Sequence, residues 1–201
     1  MGAVAAKQVD FYFDFGSPTA YLAWTQLPAM AMECRAEIAW RPMLLGGVFK
    51  ATGNTSPVMV EAKGKWMWGD MDRWARRYGV KLVKNPFFII NTLTLMRGAV
   101  GYQLREPERF LKYVDVMYRA VWIEGLNMGD AAVVAEVLQK AGFDPAAFAA
   151  MAGDPEVKSK LVSATDEAVK RGVFGAPTMF VGDAMFFGQD RLEFVREALK
   201  A

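Results

Sequence analysis

The residues that most constrain the fold are 9–24, where an apolar segment runs directly into a helix start. Val9–Phe15 alternates apolar residues with others, which predicts a half-buried strand. Ser17 and Pro18 follow, and a serine N-cap with proline as the first helical residue strongly favours helix initiation. We therefore predict a strand and then a helix, with the Ser17 hydroxyl at the positive end of that helix, where anionic groups are stabilised.

The remaining strand patterns lie near the two ends of the chain. Glu37–Pro42 predicts a second strand, which its proline ends. Strand patterns return only at Thr178–Val181 and Ala184–Phe187, joined by a tight turn at Gly182–Asp183. Between these ends, Leu44–Ser56 is predicted to be a long loop because it is rich in glycine and small polar residues. Helices are predicted at Pro18–Glu33, Val58–Tyr78, Asn91–Gln103, Pro107–Trp122, Asp130–Ala141, Pro145–Met151, Pro155–Arg171 and Asp190–Lys200.

Composition excludes several classes of site. The 201 residues include no histidine and one cysteine, Cys34. A Ser-His-Asp triad, a Cys-His dyad, a histidine- or multi-cysteine metal site and an internal disulfide are therefore excluded. We predict no metal and a packing role for Cys34 in a reducing, cytoplasmic setting. The net charge of +2 does not indicate nucleic-acid binding, and no apolar run reaches the ~18 residues of a membrane span.

The order of elements is similar to the thioredoxin fold, βαβ followed by ββα, with Pro177 before the third strand. Within it, residues 10–18 (DFYFDFGSP) and 21–23 (YLA) resemble the 2-hydroxychromene-2-carboxylate isomerase family, relatives of kappa-class glutathione transferases. The resemblance implies an α/β, thioredoxin-like domain at residues 1–45 and 172–201, with a large all-helical insertion at residues 46–171. The further matching segments are Gly53-Asn54, Lys63-Gly64, Asp72–Ala75, Asn91-Thr92, Val121–Gly125, Phe174–Thr178 and Phe187–Arg191.

The resemblance implies glutathione as the cofactor and Ser17 as the catalytic residue. The Ser17 hydroxyl would donate a hydrogen bond to the glutathione thiolate. A free thiol with a pKa of ~8.5 is only slightly ionised at neutral pH, and a hydroxyl donor at a helix N-terminus favours the anion. Pro177 resembles the cis-proline of thioredoxin folds, and Ala176 would offer its N–H and C=O to the cysteinyl part of glutathione. The alternatives are a simple N-cap serine and an ordinary loop proline.

Four more residues match glutathione-binding positions of the family. Gln189 and Asp190 correspond to the site of the γ-glutamyl end, where the Asp190 carboxylate would pair with the ammonium group. Asn54 and Lys63 correspond to contacts with the other end, and Lys63 would pair with the glycyl carboxylate. Asp190 as a plain helix cap and Lys63 as a surface residue are the alternatives.

The substrate pocket is assigned to Trp66, Asn91 and Arg97, the last two because the resemblance implies positions near the active cleft. Arg97 would bind a substrate carboxylate through a two-point contact, or make a surface ion pair instead. Helical spacing places Trp66 and Trp68 on different faces, so one of them is the better pocket residue. The aromatic residues of this region, by default core residues, are Trp66, Trp68, Trp74, Phe87 and Phe88.

The activity implied is glutathione-dependent cis-trans isomerisation of a small aromatic or conjugated substrate, as in aromatic catabolism, by a homodimer. The alternative is a kappa-like transferase that conjugates glutathione to electrophiles. A thioredoxin-fold binding protein without catalysis is a further alternative. A dithiol oxidoreductase is disfavoured, because Ser17 stands where the nucleophilic cysteine is expected and no second cysteine follows it.

Overall fold

The computed structural model describes residues 7–201, in which four strands form one mixed sheet. The strands are β1 (Lys7–Phe13), β2 (Ala36–Pro42), β3 (Thr178–Val181) and β4 (Ala184–Phe187), in the spatial order β2-β1-β3-β4. β1 is parallel to β2 and antiparallel to β3, which is antiparallel to β4. The predicted βαβ and ββα units are therefore confirmed.

The helices begin close to the residues that the sequence indicates. Pro107, Pro145 and Pro155 each open a helix, where a missing N–H costs nothing. The carboxylates of Asp144 and Asp154 cap the helices that follow them. The helices are α1 (Pro18–Cys34), α2 (Leu45–Thr52), α3 (Glu61–Tyr78), α4 (Leu93–Arg105), α5 (Pro107–Trp122), α6 (Ala131–Lys140), α7 (Pro145–Gly153), α8 (Pro155–Lys170) and α9 (Leu192–Lys200), with 3-10 turns at Pro57–Met59 and Gln189–Arg191.

The loop predicted at Leu44–Ser56 is wrong, because α2 occupies most of it. Tertiary contacts stabilise this short helix despite its glycines. The N–H of Leu45 donates to the Asp14 carboxylate at 2.8 Å, and Val48 is fully buried. A Cβ on Gly47 would lie 3.1 Å from the Thr165 methyl of α8, so glycine permits the close approach of the two helices.

Among the element boundaries that differ from the prediction, two lie near Ser17. β1 ends at Phe13 rather than Phe15, because the chain turns at Asp14 and Gly16 to reach α1. The last helix begins at Leu192, since Asp190 lies in the preceding 3-10 turn. Both differences lie where the chain enters or leaves the carboxyl edge of β1, beside Ser17.

An aromatic core joins the sheet to the helices of the middle of the chain. Phe13 and Phe15 pack against Tyr118 of α5, with ring centroids 6.2 and 5.1 Å apart. The fully buried Trp122 donates from its indole N–H to the Phe15 carbonyl at 2.8 Å. Cys34 is buried at the end of α1, which confirms its packing role. The core therefore fixes the carboxyl edge of β1 relative to α5.

No helix within residues 7–201 is long and apolar enough to span a bilayer. The division into domains at residues 1–45, 46–171 and 172–201 stays a prediction, and its first six residues lie outside the described part of the chain. Within that part, α1 and α9 pack together and against the sheet, whereas α4 and α8 contact β2.

Candidate active site

Ser17 is the N-cap of α1, as predicted. Its backbone is extended, and its Oγ accepts a hydrogen bond from the Ala20 N–H at 3.1 Å. The hydroxyl is buried but borders a cleft. The first turn of α1 carries no acidic side chain. The positive end of the helix dipole therefore faces the cleft without a neutralising carboxylate on its own helix.

The Ala176–Pro177 peptide bond is cis, so the cis-proline expected from the resemblance is confirmed. It brings the Ala176 carbonyl to the start of α1. That carbonyl accepts hydrogen bonds from Ser17 Oγ at 2.9 Å and from Thr19 Oγ1 at 3.1 Å. That Ala176 offers both its N–H and its C=O to a ligand stays a prediction, and two hydroxyls already engage the carbonyl oxygen. Within residues 7–201 the Ala176 N–H has no hydrogen-bond acceptor.

A buried carboxylate, Asp14, holds the loop that carries Ser17. It accepts hydrogen bonds from the N–H groups of Gly16 and Leu45, both at 2.8 Å, and from the Thr92 hydroxyl at 2.7 Å. Burial raises the pKa of Asp14, and the three hydrogen bonds oppose that shift. Asp14 thereby connects the N-terminal ends of α1, α2 and α4 beside the cleft.

The cleft has a volume of about 520 Å³ and is within the usual size of a small-molecule site. Ser17, Thr19 and Ala176 lie on one side of it. Trp66 lines the cleft and is 66% exposed, whereas Trp68 packs against Trp122 in the core. The structure thus distinguishes the two tryptophans that helical spacing had placed on different faces. Other apolar wall residues are Leu45, Phe49, Met67, Met71, Phe88 and Ile89.

Gln189 and Asp190 line another part of the cleft, in the 3-10 turn before α9. The Tyr78 hydroxyl donates to the Gln189 carbonyl at 2.7 Å. Burial, with a smaller contribution from the Asp190 charge, raises the pKa of Tyr78 to about 12, so this donor stays protonated. Asp190 forms an ion pair with Arg191 at 2.9 Å. The carboxylate therefore already has one cationic neighbour.

Asn54 and Lys63 differ in their relation to the cleft. Asn54 lines it and donates from Nδ2 to the Phe174 carbonyl at 2.8 Å, which links the end of α2 to the segment before Pro177. Lys63 is exposed and is not a wall residue. It lies one turn before Trp66 on the same face of α3, so its side chain starts near the mouth of the cleft.

Asn91 and Arg97 do not belong to the cleft wall that residues 7–201 form, unlike the third pocket residue, Trp66. The Asn91 side chain accepts from the Leu93 N–H at 3.1 Å, one residue before Thr92, the N-cap of α4. Arg97 lies further along that helix, where its buried Nε has no hydrogen-bond partner within the described chain. Among the described residues, 7–201, Arg97 makes no ion pair, and its contact with a substrate carboxylate stays a prediction. Their assignment to the pocket stays a prediction that the geometry does not support.

Several wall residues were not predicted from the sequence, among them Thr19, Phe174, Phe187 and Arg191. Thr19 lies two residues after the N-cap, and no sequence motif indicates a role for its hydroxyl. Phe174 and Phe187 pack together with ring centroids 4.6 Å apart and border the cleft beside Ala176. Arg191 is the cationic residue of the wall. Phe174, Phe187 and Arg191 do lie within or next to the matching segments, which was the available signal.

Comparison with known proteins agrees with this geometry. The model of the DSBA-like thioredoxin domain family matches residues 8–200. The chain is 35% identical to the 2-hydroxychromene-2-carboxylate isomerase of Pseudomonas putida over 193 residues, which is 95% of this chain and 93% of that protein. It belongs to the 2-hydroxychromene-2-carboxylate isomerase family. A solved structure of such an isomerase matches with a TM-score of 0.84 and 34% identity, covering 96% of this chain and 94% of the other.

Membership in the 2-hydroxychromene-2-carboxylate isomerase family confirms the predicted thioredoxin-like fold and identifies the protein as an enzyme. A more distant relative is glutathione S-transferase kappa 1 of Caenorhabditis elegans, 26% identical over 205 residues, 96% of this chain and 91% of that protein. Both enzyme groups thus span nearly the whole chain. The isomerase family is the nearer of the two by identity.

Proposed function

We propose that this enzyme isomerises a 2-hydroxychromene-2-carboxylate-type substrate with glutathione as its cofactor. The observation that carries the proposal is Ser17, a buried hydroxyl at an N-cap that borders the cleft beside a cis-proline. No histidine is needed, because the nucleophile is the thiol of the cofactor. When bound, glutathione supplies a thiolate that adds reversibly to a conjugated double bond, so that rotation and elimination give the isomer.

The residues of the cleft fit a tripeptide thiol. The Ala176 N–H, which has no acceptor among residues 7–201, is available to a backbone carbonyl of a ligand in the manner of strand addition. Asp190 would attract the ammonium group, and Lys63, outside the wall, would attract the glycyl carboxylate, while Asn54 links the end of α2 to Phe174. Ser17 would turn its proton from the Ala176 carbonyl toward the sulfur, and the dipole of α1 would add to the stabilisation of the anion.

The walls of the cleft suit a flat, apolar substrate. Phe88, Ile89 and Trp66 lie on α3 and the segment after it, and the Phe174–Phe187 pair lies beside Ala176. A conjugated ring system would bury its faces against these side chains with little loss of hydrogen bonds. The absence of Asn91 and Arg97 from the wall leaves Arg191 as the side chain that we propose for the substrate carboxylate.

Turnover of 2-hydroxychromene-2-carboxylate, followed by ultraviolet absorbance with and without glutathione, tests the proposal. We expect isomerisation to require glutathione and mass spectrometry to find the total glutathione unchanged. Accumulation of a glutathione adduct would instead favour the kappa-like transferase. Full activity in glutathione-free enzyme would contradict the cofactor assignment.

Two replacements of Ser17 separate its chemistry from its role as a helix cap. Loss of a hydrogen bond to a charged group costs roughly 1.5–3 kcal/mol, so turnover should fall about 10- to 150-fold in both Ser17→Ala and Ser17→Gly. Glycine retains most of the capping stability and alanine does not. Ser163→Ala, which removes an exposed hydroxyl on α8, is the matched control and should retain turnover. Equal turnover in Ser17→Gly and the unmodified enzyme would exclude the catalytic role.

The homodimer and the cytoplasmic location are part of the proposal. The cytoplasm is reducing and rich in glutathione, and the one cysteine, Cys34, is buried without a disulfide partner. Light scattering of the purified enzyme measures the oligomeric state directly. A monomer at micromolar concentration would contradict the homodimer and leave the proposed chemistry untouched.

A further inference from the structure

Three oxygen atoms form a closed triangle at the start of α1. Ser17 Oγ lies 2.9 Å from the Ala176 carbonyl oxygen, Thr19 Oγ1 lies 3.1 Å from that same oxygen, and the two hydroxyl oxygens are 3.0 Å apart. Only two hydroxyl protons are available for these three contacts. Ser17 Oγ already accepts from the Ala20 N–H, so its acceptor capacity is partly used by the helix.

We propose that Thr19 is a positioning residue that satisfies the Ala176 carbonyl and thereby frees the Ser17 proton for a thiolate. The inference rests on the proposed use of glutathione. When Ser17 turns its proton toward the sulfur, the Thr19 hydroxyl still donates to the Ala176 carbonyl, so this buried acceptor keeps a partner. Thr19 is half-buried in the cleft wall, so its hydroxyl lies beside the Ser17 hydroxyl at the edge of the cleft.

Without the Thr19 hydroxyl, one proton must serve two acceptors. The Ser17 proton would then either stay on the Ala176 carbonyl or move to the thiolate and leave a buried carbonyl unsatisfied. Either choice weakens the stabilisation of the thiolate relative to the thiol. The Thr19 hydroxyl therefore acts on the pKa of the bound thiol, not on the affinity for the tripeptide as such.

The pKa of glutathione bound to the enzyme, read from the ultraviolet absorbance of the thiolate, tests the inference. In the unmodified enzyme the pKa should lie below the ~8.5 of a free thiol. Thr19→Val keeps the shape of the side chain and removes the hydroxyl, so the pKa should rise by about 0.7 to 1 unit, a roughly five- to tenfold loss of thiolate at lower pH. Thr19→Ser restores the hydroxyl and should restore the pKa.

Two controls separate this effect from general damage to the helix. Thr25→Val removes another hydroxyl of α1, one that donates to the Leu22 carbonyl at 2.7 Å, and should leave the thiol pKa unchanged. S-methylglutathione has no ionisable thiol, so its affinity should be the same for Thr19→Val and the unmodified enzyme within about twofold.

The outcomes distinguish a failure of the role proposed for Thr19 from a failure of the proposed use of glutathione. An unchanged thiol pKa in Thr19→Val, or an equal rise in Thr25→Val, would overturn the role of Thr19 and leave the use of glutathione standing. A parallel loss of S-methylglutathione affinity would also overturn it, since that indicates a steric role. A thiol pKa that the unmodified enzyme does not lower would contradict the thiolate chemistry itself, and the inference with it.

Discussion

Asp14 offers the sharpest test of how the walls of the cleft are held together. Its Oδ1 accepts from the Gly16 N–H and the Thr92 hydroxyl, and its Oδ2 accepts from the Leu45 N–H. Asp14→Ala leaves all three donors without their acceptor. Asp14→Asn keeps one oxygen for two donors but sets an amide NH₂ group against the Leu45 N–H. The two variants should therefore differ by about two hydrogen bonds.

The number of lost bonds sets the magnitude. A buried donor without a partner costs about 1–3 kcal/mol, and removal of a buried charge returns part of that cost. We expect Asp14→Ala to lower the free energy of unfolding by about 3–6 kcal/mol and Asp14→Asn by about 1–2 kcal/mol. For a chain of 201 residues, each kcal/mol corresponds to roughly 2–4 °C in Tm. Asp14→Ala should thus melt about 6–24 °C below the unmodified enzyme.

The raised pKa of Asp14 also predicts how the free energy of unfolding changes with pH. Burial raises the pKa of Asp14 above its usual 3.8, so between 3.8 and the raised pKa the folded state binds more protons than the unfolded state. The contribution of Asp14 to stability is therefore fully present below pH 3.8 and declines as the pH rises through the raised pKa. Asp14→Asn lacks this titration. The difference in stability between the unmodified enzyme and Asp14→Asn should shrink as the pH rises.

Urea unfolding followed by circular dichroism, over a series of pH values, measures both effects. Asp166→Asn, at an exposed position of α8, is the matched control and should change the free energy of unfolding by less than about 0.5 kcal/mol at every pH. Equal costs for Asp14→Ala and Asp14→Asn would refute the hydrogen-bond argument. A stability difference that grows with pH would refute the direction of the pKa shift.

The packing of the core supplies two further predictions, both measurable by the same unfolding assay. A Cβ at Gly98 would collide with the Tyr113 side chain, so Gly98→Ala should lower the free energy of unfolding by about 1–3 kcal/mol. Gly69→Ala, at a helical position with open space around it, should raise it by about 0.5–1 kcal/mol. A neutral Gly98→Ala would contradict the close packing of α4 against Tyr113. Trp122→Phe removes a buried indole donor and should cost about 2–4 kcal/mol, while Trp66→Phe at the exposed wall should cost less than about 0.5 kcal/mol. Equal costs would contradict the burial of Trp122 and the exposure of Trp66.

Local signals predicted most of the fold. Helix starts were predicted at Pro107, Pro145 and Pro155, and strands from alternating apolar residues. These signals depend on interactions between residues that are close in sequence. The failure at Leu45–Thr52 has a different cause. That helix depends on a hydrogen bond to Asp14 and on close contact with Thr165, residues that are distant in sequence. No propensity scale contains such contacts.

Some predicted site residues lie in the cleft and others do not. Ser17, Ala176, Gln189 and Asp190 meet in one cleft because each lies at the same edge of the sheet, which the strand order implies. Arg97 belongs to the helical region, whose packing onto the sheet is not encoded in any local pattern, and it does not reach the cleft wall.

The sequence alone determined the βαβ and ββα units, the helix start at Ser17, and the exclusion of every mechanism that needs a histidine or two cysteines. Those features depend on residue types and on neighbours along the chain. Only the tertiary structure decided that Trp66 rather than Trp68 faces the cleft, and that Thr19 shares the Ala176 carbonyl with Ser17. Both features depend on contacts between residues more than forty positions apart in the sequence, Trp68 with Trp122 and Thr19 with Ala176. Side-chain packing between such distant residues depends on the whole core, so no local sequence pattern predicts it.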